Sequence, residues 1–193
     1  MQRFFLPTLL PKVDETVSLA PIHRQLHSVL RVQPGVQLIV LDNEGHERLM
    51  EVVSSERRDT TARVVEVRPA PAEAPVPVTL YQCLLKSDKF EWVLQKATEL
   101  AVTTVVPVTS QRTVVRPGTA LTNKQVRWDA IVREAAEQSG RGALPVVAPA
   151  TTFADAVSSA AGTRLLPWEE GEANPGLLAA LGQTKEPIGQ VSI

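Results

Sequence analysis

The chain has 193 residues, 44% of them hydrophobic and 21% charged, with a formal net charge of −1. That length buries one large core or two small ones, and the composition is ordinary for a globular protein. Near-neutral charge excludes a polycationic nucleic-acid coat but leaves room for a local basic face.

Met1 to Pro7 contains too short an apolar run for a signal peptide, and no later run approaches the roughly 20 residues of a membrane span. A cytoplasmic setting is therefore expected, without membrane attachment. Ile22 to Arg31 carries the one helical pattern of the first 70 residues and ends before Pro34-Gly35. Gln37 to Leu41, Leu49 to Ser54 and Ala62 to Arg68 are strand candidates, rich in Val and Leu with partial alternation. Asp42-Asn43-Glu44-Gly45 supplies the turn between the first two. Short strands at this spacing suggest a small barrel. His23 and His27 stand i, i+4 on one helix face and read as structural or as RNA-facing, with no third ligand for a metal. Four prolines between Pro69 and Pro77 then read as an extended linker.

After the linker the period changes. Val78 to Leu85 is a nearly continuous apolar run, the mark of a buried strand, and its Cys83 reads as a buried, inert thiol. As the single cysteine, Cys83 also excludes an intrachain disulfide and a cysteine-cluster metal site. Asp88, with Glu91 three residues on, suits the cap of a helix whose apolar arc is Phe90, Val93, Leu94, Ala97 and Leu100. The opposite arc holds Lys89, Trp92, Lys96 and Glu99, with Lys86 upstream. It is either a solvated face or, given Trp92, a contact surface.

Val102 to Thr109 is a second β-branched strand. Arg112 and Arg116 follow it, either as surface residues or as phosphate binders, since ligands bind beyond the carboxyl ends of parallel strands. A second long helix runs from about Asn123 to Ser139. Its Asp129, Arg133 and Glu137 form a charge ladder expected to face solvent, whereas Glu134 and Gln138 lie on another stripe and need partners. Gly140 suits a left-handed helix stop, with Arg141 just beyond it. Phe153 to Ala160 and Leu177 to Leu181 read as shorter helices, and Arg164 to Leu166 and Ile188 to Ile193 as strands. The alternation argues for an α/β layer with a parallel sheet. Its last strand has only begun where the sequence stops, so the sheet is expected to be incomplete.

Two of these runs carry a resemblance. Leu84-Leu85-Lys86-Ser87-Asp88-Lys89-Phe90-Glu91-Trp92-Val93-Leu94-Gln95-Lys96-Ala97-Thr98-Glu99-Leu100 and Glu134-Ala135-Ala136-Glu137-Gln138-Ser139-Gly140-Arg141 resemble the bacterial methyltransferases that modify N3 of a uridine in small-subunit (16S) ribosomal RNA. Ser110-Gln111-Arg112, Arg127-Trp128, Arg3-Phe4-Phe5 and His27 to Arg31 fit the same pattern. The resemblance implies a PUA-like β-barrel over residues 1–70, a linker over 71–77 and a SPOUT-type α/β domain over 78–193, whose trefoil knot is incomplete. It also implies a homodimer that uses S-adenosylmethionine and no metal, acting on small-subunit ribosomal RNA or on the assembled subunit. Leu165, Leu166, Pro167 and Glu169 would belong to the first cofactor loop. The glycine-rich loop and later segment that complete the family's cofactor pocket do not occur within these residues. Arg3, Arg24, His27, Arg31, Lys86 and Lys89 would contact RNA. Arg112 and Arg141 would guide it or stabilise a developing anion, with Glu134 and Gln138 holding them or the base. The rival expectation is a non-catalytic dimeric RNA-binding protein.

Overall fold

A computed structural model describes residues 1–8, 11–111, 113, 119–167, 176–182 and 187–193. The chain divides into two compact units, one of Met1–Glu73 with Arg133–Leu144, the other of Ala74–Val132 with Pro145–Ile193.

In the first unit, strands β1 (Gln2–Phe5), β2 (Thr16–Ser18), β3 (Gln37–Leu41), β4 (His46–Ser55) and β5 (Thr60–Pro69) form a sheet in the order β1-β3-β4-β5-β2. Only β1 and β3 pair in parallel. The expected barrel is not closed by hydrogen bonding among the described residues, because β1 and β2 are the two ends of an open path. Alternation sends successive side chains to opposite faces. Phe4, Leu38 and Val40 therefore join one core cluster with Leu26 and Met50, while Phe5, Ile39 and Leu41 join another with Ala136. Both faces are covered, which explains the unbroken apolar run Leu38 to Leu41. Each such fully buried side chain contributes about 1.5–3 kcal/mol.

The expected helix at Ile22 to Arg31 is less regular than its pattern, a 3₁₀ turn at Ala20–Ile22 and a wide π-type turn at Gln25–Val29. Strands β1 and β2 lack the alternating polar pattern and escaped the sequence reading.

The second unit holds parallel strands β6 (Val78–Cys83), β7 (Thr104–Thr109), β8 (Val146–Val147), β10 (Thr163–Arg164) and β11 (Val191–Ser192) in the order β10-β11-β6-β7-β8, with β9 (Thr151–Thr152) also pairing β7. Between them lie helices α1 (Ser87–Glu99), α2 (Thr119–Ser139), α3 (Phe153–Ser159) and α4 (Leu177–Gly182). Phe90, Leu94 and Ala97 on α1 pack with Trp128 and Val132 on α2. The Phe90 and Trp128 rings lie 4.8 Å apart at 46°, a favourable tilted pair.

Three local expectations are corrected. Asp88 lies in the first turn of α1, and the cap position is Lys86, which makes no side-chain cap bond. Leu100 falls outside the buried arc and is 79% exposed. Strand β6 is half-buried throughout rather than fully buried.

Candidate functional site

The sequence singled out the end of α2, where the roles of its two polar stripes are exchanged. Arg133 and Glu137, expected to face solvent, both engage Phe5 in the first unit. The Phe5 amide donates to Glu137 Oε1 at 2.9 Å, and Arg133 donates to the Phe5 carbonyl at 2.6 Å. A strand edge presents unpaired amides and carbonyls, and this i, i+4 pair satisfies one of each. Burial pushes the Glu137 carboxyl above its ordinary range, against the Phe5 hydrogen bond and the Arg133 charge, with Glu134 adding to the rise. Glu134 and Gln138 are exposed. Arg127, further up α2, pairs with Glu91 at 2.7 Å in the second unit.

Beyond Ser139 the backbone turns through Gly140 at φ +75°, as a left-handed stop requires. Arg141 is buried, and its guanidinium binds Glu73, with Nε 3.0 Å from Oε2. The other Glu73 oxygen accepts the Gly142 and Ala143 amides at 2.9 and 3.0 Å. Burial pushes the Glu73 carboxyl up, but the Arg141 hydrogen bond and charge together with these amides outweigh it and hold it below the usual range. A Cβ on Gly142 would run into the Pro71 carbonyl oxygen. The proline-rich segment is thus a docked strap at Glu73, a role that composition alone does not show.

Other candidates separate by partner. Arg3 pairs with buried Glu47 at 2.7 Å. Arg24, Arg31, Lys86 and Lys89 are exposed. His27 is half-buried, its Nδ1 lies 3.2 Å from Ser55 Oγ, and its ring stacks on His23 at 5.2 Å. Arg112, Arg116 and Glu169 lie outside the described residues.

The second unit contains a cavity of about 260 Å³ at the carboxyl ends of its parallel strands, the end of such a sheet where ligands bind. Cys83 closes β6, Val108 lies near the end of β7, Arg164 closes β10 and Ser192 closes β11. Phe153, Ala156 and Val157 of α3 form the opposite wall, and Leu165 and Leu166 complete it. Ser192 Oγ is already engaged, donating to the Ala161 carbonyl at 2.7 Å. Among the described residues the lining is therefore almost wholly apolar, with Arg164 as its one charged residue. Cys83, expected to be buried and inert, is half-buried and faces this space. Sequence reasoning reached Leu165 and Leu166 through resemblance and missed the α3 wall, because apolar helix residues look like core. Pro167 is exposed and is not among the cavity residues.

A parallel α/β unit with an apolar pocket at its strand ends defines a small-molecule-binding class of domain. Residues 72–193 match the RNA methyltransferase domain family, and the chain belongs to that family. It is 31% identical over 157 residues to ribosomal RNA small subunit methyltransferase E of Bacillus subtilis, a match spanning 79% of this chain and 61% of that protein. Its counterpart of the same name from Synechocystis is 36% identical, over 83% of this chain and 51% of that protein. The chain thus spans between half and two thirds of these relatives.

Among solved structures, ribosomal RNA small subunit methyltransferase E from Neisseria gonorrhoeae, bound to S-adenosylmethionine, superposes with a TM-score of 0.86 at 31% identity. That match covers 100% of this chain and 77% of the other. A Legionella pneumophila protein solved with the same cofactor shares the fold at 22% identity and a TM-score of 0.83, covering 98% and 77%.

Proposed function

We propose that this chain belongs to an enzyme that methylates N3 of a uridine in small-subunit ribosomal RNA, using S-adenosylmethionine. The observation that carries this reading is the likeness of the whole chain to the cofactor-bound Neisseria structure. On this reading the first unit is the PUA-like RNA-binding part and the second is the SPOUT part, acting in the cytoplasm as a homodimer.

The cavity residues fit the cofactor. Tyr81, Val108, Leu165 and Leu166 offer apolar surface for an adenine ring and hydrocarbon arms, and Arg164 offers a cation for a carboxylate. When bound, the cofactor supplies a methyl group carried on a positively charged sulfur.

Uridine N3 becomes nucleophilic only after losing its proton, so groups that steady the uridinate oxygens lower the barrier. Arg112 is the proposed donor for that task. Arg141, buried on Glu73, acts by holding the helix end in place. Glu134 and Gln138 are the exposed polar groups that this helix end offers to a substrate.

The test is methyl transfer from labelled S-adenosylmethionine to small-subunit ribosomal RNA, followed by nucleoside digestion and mass analysis. N3-methyluridine is the expected product. Glu134→Ala should slow turnover about 100-fold through poorer positioning while leaving the melting temperature unchanged. RNA binding without cofactor binding or transfer would favour the non-catalytic RNA-binding reading instead.

A further inference from the structure

The segment that ends α2 is fastened more firmly than a helix stop requires. A helix C-terminus leaves its last carbonyls unpaired, yet the bonds here are made by amides beyond the stop. The Gly142 and Ala143 amides donate to Glu73 Oε1, and the Leu144 amide donates to Asn43 Oδ1 at 2.7 Å. With the Arg141 guanidinium on Glu73 Oε2, four residues in a row donate to side-chain oxygens of two others. The places are not arbitrary. Met1–Glu73 and Arg133–Leu144 make up the first unit, so Glu73, Arg133 and Leu144 each stand at the end of a stretch. Each of the three is tied within the unit, Arg133 through the Phe5 carbonyl.

Both acceptors rest on prepared backbone. The buried Asp42 carboxylate accepts the Glu44 and His46 amides at 2.8 and 3.0 Å and the Arg48 guanidinium at 3.1 Å, which shapes the turn that carries Asn43. The Gly45 carbonyl of that turn accepts the Ala70 amide at 2.9 Å, so the strap that carries Glu73 is laced to the same turn. On the helix side, Ala136 is buried with Phe5, Ile39 and Leu41, and Leu144 packs on that cluster. Glu134 and Gln138 are left exposed on a segment held at Arg133 and again at Leu144.

We infer that Glu73 and Asn43 are positioning residues for methyl transfer. They fix the turn after α2, and through it the orientation in which Glu134 and Gln138 meet the RNA substrate. A displacement of about 1 Å in groups that orient a substrate costs about 100-fold in rate. Side chains hold such precision only when packing and hydrogen bonds behind them lock their position. Neither Glu73 nor Asn43 acts on the substrate directly. The inference rests on the RNA-methylation reading and deepens it.

Methyl transfer to small-subunit ribosomal RNA should be measured on the full-length protein, at a temperature where circular dichroism shows each variant folded. Glu73→Ala should lower kcat about tenfold, with KM for RNA and the affinity for S-adenosylmethionine near wild type. Acetate or formate should restore turnover, because a small carboxylate refills the space between the Arg141 guanidinium and the two amides. Chloride at equal ionic strength should not. Asn43→Gly, at a φ of +61° that glycine adopts freely, should lower kcat about threefold at a nearly unchanged melting temperature. That variant decides the matter where Glu73→Ala does not fold. In a Glu134→Ala/Gln138→Ala background both losses should vanish, a coupling that lost stability alone does not produce. Arg63→Ala, which breaks a surface ion pair with Asp14, should keep wild-type turnover. Wild-type kcat in the folded variants, or losses that stay additive in that background, would overturn the positioning role while leaving the methylation reading intact. Failure of the wild-type protein to methylate ribosomal RNA would overturn both.

Discussion

The end of α2 and the cavity of the second unit differ in the way they use polarity. The helix end is dense in charge, yet much of that charge is consumed in holding structure. Glu73 and Arg141 clamp the strap, and Glu137 with Arg133 closes a strand edge. The cavity has almost no charge beyond Arg164, yet it is the space suited to a small ligand. A conspicuous polar motif is therefore not by itself a chemical centre. Buried charge needs partners wherever it occurs, and a structural clamp satisfies that need as well as a substrate does.

The strongest way to break this contrast is to remove Glu73. Glu73→Ala leaves the buried Arg141 guanidinium without this partner and uncovers two backbone amides. Loss of a partner from such a pair costs about 3 kcal/mol, measurable by urea unfolding. A cost below about 1 kcal/mol would mean that the clamp is replaceable by water. Because the folded carboxyl is held low, its contribution is present above the ordinary glutamate value of 4.5. It disappears as pH falls from there through the lowered folded value. The variant should therefore lose this part of the acid sensitivity.

The second test reaches the other side of the comparison. Leu166 lines the cavity and is 80% exposed, so truncating it leaves the fold unchanged. Leu166→Ala should weaken S-adenosylmethionine binding about tenfold, near 1.4 kcal/mol, because it removes apolar surface from the wall against the ligand. Calorimetry reads the affinity and a melting curve reads the fold. Equal affinity would remove Leu166 from the cofactor site.

What the sequence showed follows from the same contrast. Helix α1 was legible because Phe90, Leu94 and Ala97 repeat at helical spacing and all bury. Strands β3, β4 and β5 were legible through β-branched and apolar runs. Strand β1 was hidden because Phe4 and Phe5 are both buried, on opposite faces, which removes the alternation that marks a strand. The exchange of roles between Glu137 and Glu134 was also hidden. Periodicity separates helix faces but does not say which face meets a neighbouring strand. Glu73 sat in a run whose prolines suggested only a spacer, and its partner lies 68 residues away. The cavity depends on Cys83, Val108 and Val157 arriving together from three separate elements, a convergence that no local pattern encodes.

Glu137 gives the smallest and most discriminating test, because its sign opposes that of Glu73. Burial raises its carboxyl above the ordinary 4.5, so the folded chain holds a proton there more tightly than the unfolded one does. Stability from this group therefore rises as pH falls through the folded value and is complete once pH drops below 4.5. Glu137→Gln keeps an oxygen to accept from the Phe5 amide and removes the charge. The variant should equal or exceed wild type at about pH 8, by no more than about 1 kcal/mol. That margin should shrink as pH falls toward the ordinary 4.5, as the wild-type carboxyl takes up its proton. Parallel urea unfolding of wild type, Glu73→Gln and Glu137→Gln from about pH 8 down to about pH 3 should give stability differences with opposite pH slopes, that of Glu137 above the ordinary 4.5 and that of Glu73 below it. Slopes of the same sign would show that Glu137 is used as a charged partner of Arg133, and the two polar contacts of the helix end would then work alike.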